Sequence, residues 1–127
     1  MVEYLTEDQL IELNKEVLKE IRVKKGDIHK VLSREKITAV TIDCRQDPGD
    51  IYDKASTLLI GMVKAHSFDS ANRRTAIAAT ILFLKANGEE LKLKHDEKVL
   101  TGIREGFYTK SEVKDWLRGN AIRPFHR

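Results

Sequence analysis

The sequence predicts an all-α fold, and three observations carry that expectation. Apolar residues recur at helical spacing in most segments, helix-start signals precede most of them, and breaks such as Asp47-Pro48-Gly49 and Asn87-Gly88 separate them. The 127 residues are enough for one hydrophobic core and too few for two, so a single domain over residues 1–127 is expected. With 41% hydrophobic and 34% charged residues, the composition is that of a soluble globular chain. The expected architecture is a helical bundle around a central buried helix, with at most a small β-hairpin.

In chain order, Thr6 and Gln9 form a capping box before Leu10, Leu13, Val17, Leu18 and Ile21, which share one helical face. This predicts a helix over residues 7–23, stopped by Lys24-Lys25-Gly26. Residues 27–48 are patterned least. Asp27 can cap a short helical turn carrying Ile28, Val31 and Leu32. The β-branched run Ile37-Thr38-Ala39-Val40-Thr41-Ile42 reads as extended, one arm of a small hairpin turning over residues 33–36. Asp50 then caps a helix over 51–65 with Ile51, Ala55, Leu58, Leu59, Met62 and Val63 on one face. A helix over 71–86 is apolar nearly all round, through Ala76, Ala78, Ala79 and Phe83, and is expected to be the central one; Asn87-Gly88 ends it. Asp96 caps a helix bearing Val99, Leu100, Ile103 and Phe107, and Thr109 with Glu112 forms another capping box before Val113, Trp116 and Leu117. Residues 121–127 are expected to fray.

Composition also excludes functions. A net charge of +3 admits an acidic or phosphorylated partner without pointing to nucleic acid, and 6% aromatics are too few for a base-stacking platform. The single cysteine, Cys44, allows neither a disulfide framework nor a cysteine-based zinc site, and without an activating neighbour it reads as a plain buried thiol. No apolar stretch is long enough to span a bilayer, and the acidic, amphipathic start lacks the pattern of a signal peptide. A cytoplasmic protein with no membrane partner is expected.

The chemistry concentrates in His66-Ser67-Phe68-Asp69-Ser70-Ala71-Asn72-Arg73-Arg74, between two apolar helices. A helix N-terminus is partially positive and normally recruits acidic side chains, yet two arginines occupy this first turn. That is unfavourable for a bare helix and sensible where an anion binds. N–H groups from Ala71 to Arg73, with both guanidiniums, suit a polyphosphate, and His66 is placed to take a proton near neutral pH. A base beside an anchored phosphate chain is what activates a hydroxyl for phosphoryl or nucleotidyl transfer. Phe68, apolar in a polar loop, reads as its anchor. On spacing alone the alternative stands equal: an ordinary loop histidine and a solvated basic face. His29, His95 and His126 are scattered singly without metal-ligand spacing.

HSFDSANRR resembles the signature of the Fic/Doc family, H-x-F-x-[D/E]-[G/A]-N-[G/K/R]-R. The alanine before Asn72 and the basic residue after it resemble the Doc branch, the death-on-curing toxins. So do Thr75-Ala76, the run from Ile81 through Phe83 to Asn87-Gly88, and the opening Tyr4-Leu5-Thr6. The resemblance covers nearly the whole chain, is specific at the motif and is loose over residues 24–49. It implies a Fic/Doc-like bundle with His66 as general base, Phe68 as loop anchor, and Asn72 and Arg74 as phosphate-holding groups. Arg73 stands where nucleotide-transferring members have glycine. In the Doc branch a long cationic side chain there accompanies a reversed nucleotide, which presents the γ-phosphate.

The resemblance therefore implies a kinase that uses ATP and Mg²⁺ on a Ser or Thr hydroxyl of a protein target such as elongation factor Tu, in a toxin–antitoxin pair with an antitoxin protein. The alternatives it leaves are an AMP transferase and a non-catalytic binding module. Two departures bear on this. The motif's Mg²⁺-holding carboxylate position is Ser70, with Asp69 one residue earlier, so either is a candidate for Mg²⁺. Ile77 replaces an arginine of many Fic proteins, as in Doc-like chains. That weakens the match of Thr101-Gly102-Ile103-Arg104-Glu105-Gly106 to the self-inhibitory [S/T]-x-x-x-E-[G/N] pattern, whose glutamate pairs with that arginine; a structural helix is the expectation there. By position, residues 36–42 fall where the family carries a target-binding hairpin flap.

Overall fold

The computed structural model describes residues 1–20, 29–92 and 95–126. Among them six α-helices follow in order: α1 (Glu7–Glu20), α2 (Arg34–Gln46), α3 (Ile51–Ala65), α4 (Asn72–Ala86), α5 (Glu97–Arg104) and α6 (Lys110–Leu117). The fold is all-α, and the only β-type pairing among the described residues is an isolated antiparallel bridge between Val31 and Phe68. The expected stop of the first helix over residues 21–26, and the Asp27 cap with Ile28, lie outside the described residues.

Helix starts follow their local chemistry. Thr6 N–H donates to Gln9 Oε1 at 2.8 Å and Gln9 N–H to Thr6 Oγ1 at 3.1 Å, a reciprocal capping box ahead of α1. Asp50 with Asp53 opens α3 in the same way, and Thr109 with Glu112 opens α6. Asp96 caps α5 by accepting from Lys98 N–H at 2.9 Å. Each box satisfies N–H groups that the first turn leaves without partners.

The β-branched run was expected to be extended and is helical. Residues 37–42 lie inside α2, whose N-cap is Ser33, and Ile37, Val40 and Cys44 form its buried face. Spacings of three and four residues suit a helix. In a strand, the same residues would have split Ile37 and Val40 between opposite faces, and that is why tertiary packing overrides β-propensity here. No hairpin flap occupies residues 36–42. The extended backbone beside the candidate site belongs instead to residues 30–33.

The centre of the bundle is also reassigned. α3 packs against α2, α4, α5 and α6, while α4 packs on α3 and α1 and leaves Ile81 and Leu82 more than a third exposed. α3 approaches α2 closely because Gly61 lacks a side chain: a Cβ there would sit 3.0 Å from Val40 Cγ1. Cys44 is buried against α3, its thiol directed at Lys54 O, and burial pushes its pKa up to about 11, which disfavours the nucleophilic thiolate. Residues 121–126 are anchored, not frayed. Tyr108 O–H donates to Arg123 O at 3.0 Å, Arg123 pairs with Glu112 at 2.7 Å, and Phe125 packs edge-on against Phe107. Among the described residues no helix is long and apolar enough to cross a membrane.

The turn between α2 and α3 is tied to α6 through Asp47, 8% exposed. Its carboxylate accepts from Gly49 N–H at 2.8 Å, from the Thr57 hydroxyl at 2.5 Å and from the Lys110 ammonium. Burial alone would raise its pKa, but Lys110, Thr57 and Gly49 together hold it down at about 2. Because this lies below the unfolded value of about 3.9, the carboxylate stabilises the fold fully above about pH 4 and loses that contribution as pH falls toward 2. Asp47→Ala is expected to cost about 2 kcal/mol at neutral pH by urea denaturation, with the gap from wild type closing between about pH 4 and pH 2.

Candidate active site

The nine-residue motif bridges α3 and α4. His66 is the C-cap of α3 at φ 48°, ψ 51°, and Ala71 is the N-cap of α4 at φ 62°, ψ 31°. These are the only non-glycine residues with positive φ among the described residues, and they bracket the loop. Left-handed backbone costs energy in residues with a Cβ and persists only where surroundings over-determine it. Here they do. Phe68 between them is fully buried. Residues 30–33 run antiparallel beside the loop: Leu32 N–H donates to Ser67 O at 2.7 Å and Asp69 N–H to Lys30 O at 2.9 Å.

The Asn72 amide clamps the loop from inside. Its Oδ1 accepts from Phe68 N–H at 3.0 Å, and its Nδ2 donates to Phe68 O at 2.8 Å while lying 3.4 Å from His66 Nδ1. Its side chain is thus engaged in shaping the turn and orienting His66. A second amide does similar work from α1. Asn14 is fully buried, and its Nδ2 donates to Ser70 O and Thr75 Oγ1, both at 3.0 Å, while its Oδ1 lies 2.7 Å from His29 Nδ1. Burial and nearby Lys15 lower the His29 pKa, favouring a neutral ring that donates from Nδ1 to Asn14. Asn14 was not among the sequence candidates. Its signal was available: it falls on the same face as Leu10, Val17 and Leu18, a polar residue in an apolar stripe.

His66, Asp69, Ser70, Ala71, Asn72, Arg73 and Arg74 line one cleft of ≈ 670 Å³. Only Phe68 of the candidates lies away from it, in the core. The opposite wall supplies His95, Glu97 and Arg104, which sequence reasoning did not place there. The start of α4 faces this cleft with no side-chain cap and no acidic residue in its first turn. Arg74 is exposed and has no ion pair among the described residues, whereas Arg73 Nε lies 2.9 Å from Glu97 Oε1. Unfilled N–H groups at a helix N-terminus and two guanidiniums can attract an anion, and the cleft has room for a phosphate chain. Among the described residues no group of three His, Cys, Asp or Glu side chains could hold a metal. Asp69 and Ser70 both line the cleft, and their oxygens are of the kind Mg²⁺ takes one or two of when it also binds phosphates.

The sequence profile of the Fic/DOC family matches residues 4–84, well over half of the chain. The chain belongs to the Fic/DOC family. It is also 34% identical over 70 residues to "Protein kinase doc" of Escherichia phage P1, a stretch covering 54% of this chain and 56% of that protein. The chain thus matches little more than half the length of that relative. As a Fic/DOC chain it keeps the histidine, phenylalanine, asparagine and final arginine of the motif and departs at Ser70. The stretch at residues 101–106 has a structural explanation in this fold. Gly102 lies under Tyr108 and Phe125, where a Cβ would come within 2.5 Å of Tyr108 Cε2, and Arg104 pairs with Glu105 at 3.3 Å.

Two substitutions test the loop's supports. Phe68→Ala is expected to cost about 3–5 kcal/mol through the cavity it leaves. Asn14→Ala should cost about 1–3 kcal/mol by orphaning Ser70 O and Thr75 Oγ1, both read by urea denaturation.

Proposed function

We propose that this Fic/DOC chain is a Doc-like protein kinase that transfers the γ-phosphate of ATP to a Ser or Thr hydroxyl of a protein target. On this reading it is the toxin of a cytoplasmic toxin–antitoxin pair, held in check by an antitoxin protein, with elongation factor Tu as the kind of target. The observation that carries the reading is Arg73: a long cation stands in the cleft beside His66, at the motif position where nucleotide-transferring relatives have glycine. The similarity to a protein named as a kinase supports the same choice.

The phosphate chain lies along the uncapped start of α4, its charge met by the N–H groups following Ala71 and by Arg73 and Arg74. Asn72 holds the turn and His66 in place. His66 takes the proton from the target hydroxyl as its oxygen bonds to the γ-phosphorus. The bond from that phosphorus to the β–γ bridging oxygen breaks, and ADP leaves with the electron pair. Mg²⁺, held through phosphate oxygens with Asp69 or Ser70, would supply charge neutralisation.

Incubation of the protein and target with ATP labelled at the γ- or the α-phosphate tests this directly. Label is expected from the γ-position; transfer from the α-position alone supports AMP transfer instead, and no transfer in any mixture leaves a binding module. His66→Ala should slow transfer by at least about 10²-fold. Ser70→Asp, which restores the family's usual carboxylate, should keep or raise Mg²⁺-dependent turnover.

A further inference from the structure

We infer that Glu97 is a positioning residue for phosphoryl transfer: it pairs with the Arg73 guanidinium and orients it toward the phosphate chain. The inference rests on the kinase reading above and deepens it, because Arg73 is the side chain on which that reading turns.

The contact is close. Glu97 Oε1 lies 2.9 Å from Arg73 Nε, while its other oxygen, Oε2, lies 3.2 Å from His95 Nε2. The carboxylate thus lies between the Arg73 guanidinium and the His95 ring. A guanidinium carries five N–H donors and a carboxylate takes at most about two of them, so a paired Arg73 keeps donors for an anion.

The ordinary explanation for an acid at this place is the dipole of α5, since Glu97 is its first residue. That need is already met by Asp96, whose side chain caps the helix. Glu97 also carries a cost that a purely structural acid would not: it lines the cleft in which polyphosphate is to bind, and its charge repels it. A carboxylate there weakens nucleotide binding and orders the guanidinium. Both partners are partly exposed, Arg73 at 35% and Glu97 at 50%, so the pair orients without locking and Arg73 can still turn toward a ligand.

These opposed effects give the inference a signature that loss of folding cannot imitate. Glu97→Ala is expected to lower kcat for γ-phosphate transfer about two- to fivefold, the range an exposed ion pair spans, while KM for ATP falls or stays level because the repelling charge is gone. Glu97→Asp, which keeps the charge but withdraws it from Arg73 Nε, should lower kcat similarly with no fall in KM. In an Arg73→Ala background, Glu97→Ala should change kcat no further. Thermal denaturation of each variant separates these changes from the folded fraction. Wild-type kcat in Glu97→Ala, a rise in KM without a change in kcat, or additivity with Arg73→Ala would each overturn the inference while leaving the kinase reading intact. A wild-type chain that transfers no γ-phosphate overturns both.

Discussion

The candidate site depends first on the burial of one aromatic ring. Phe68 sits fully inside the core in the middle of a polar loop, and its own N–H and C=O are both taken up by the Asn72 amide. Removing a ring of this size from water offsets part of the cost of two left-handed residues at His66 and Ala71. With the ring in place, the chain leaves α3 and enters α4 within a few residues, and His66, Asp69, Ser70 and Ala71 between them line the cleft. The bridge to residues 30–33 and the hydrogen bonds from Asn14 complete the support from two further parts of the chain. The site is therefore made by the bundle, although most of its side chains come from one short stretch.

The second constraint is charge. The first turn of α4 gathers like charges where helices ordinarily place acids, and no side chain caps it. The only acidic group drawn onto this cluster among the described ion pairs is Glu97, from a helix that begins some twenty residues later. An arrangement that violates helix electrostatics locally, and is only partly compensated from afar, is what a site for an anionic ligand requires. The charge pattern and the buried anchor point to the same place, which gives the Fic/DOC assignment a physical counterpart in this chain.

Much of this was readable beforehand, and the failures are informative. The capping boxes at Thr6 and Thr109 and the cap at Asp50 involve residues within three positions, so local sequence sufficed to find them, although the box that Asp50 forms with Asp53 was not read. The motif was likewise legible because His66 to Arg74 are contiguous. Residues 37–42 misled because β-branched side chains fit either element, and the deciding fact, a face shared by Ile37, Val40 and Cys44 against α3, is a matter of packing. The choice of α4 as the centre rested on its alanines. Small side chains allow close approach on any face, but they do not dictate how many neighbours a helix has, and α3 is the one in the middle.

By itself, the sequence determined the helix starts other than that of α2, the buried anchor and the clustering of base, amide and guanidiniums in one loop, because each depends on neighbours within a few bonds along the chain. The tertiary structure alone decided which distant residues complete the cleft. His95, Glu97 and Arg104 reach it only through the packing of α5 on α3, and Asn14 reaches Ser70 and Thr75 only because α1 lies on α4. Contacts of that separation are set by the shape of the whole core, and no local pattern encodes them.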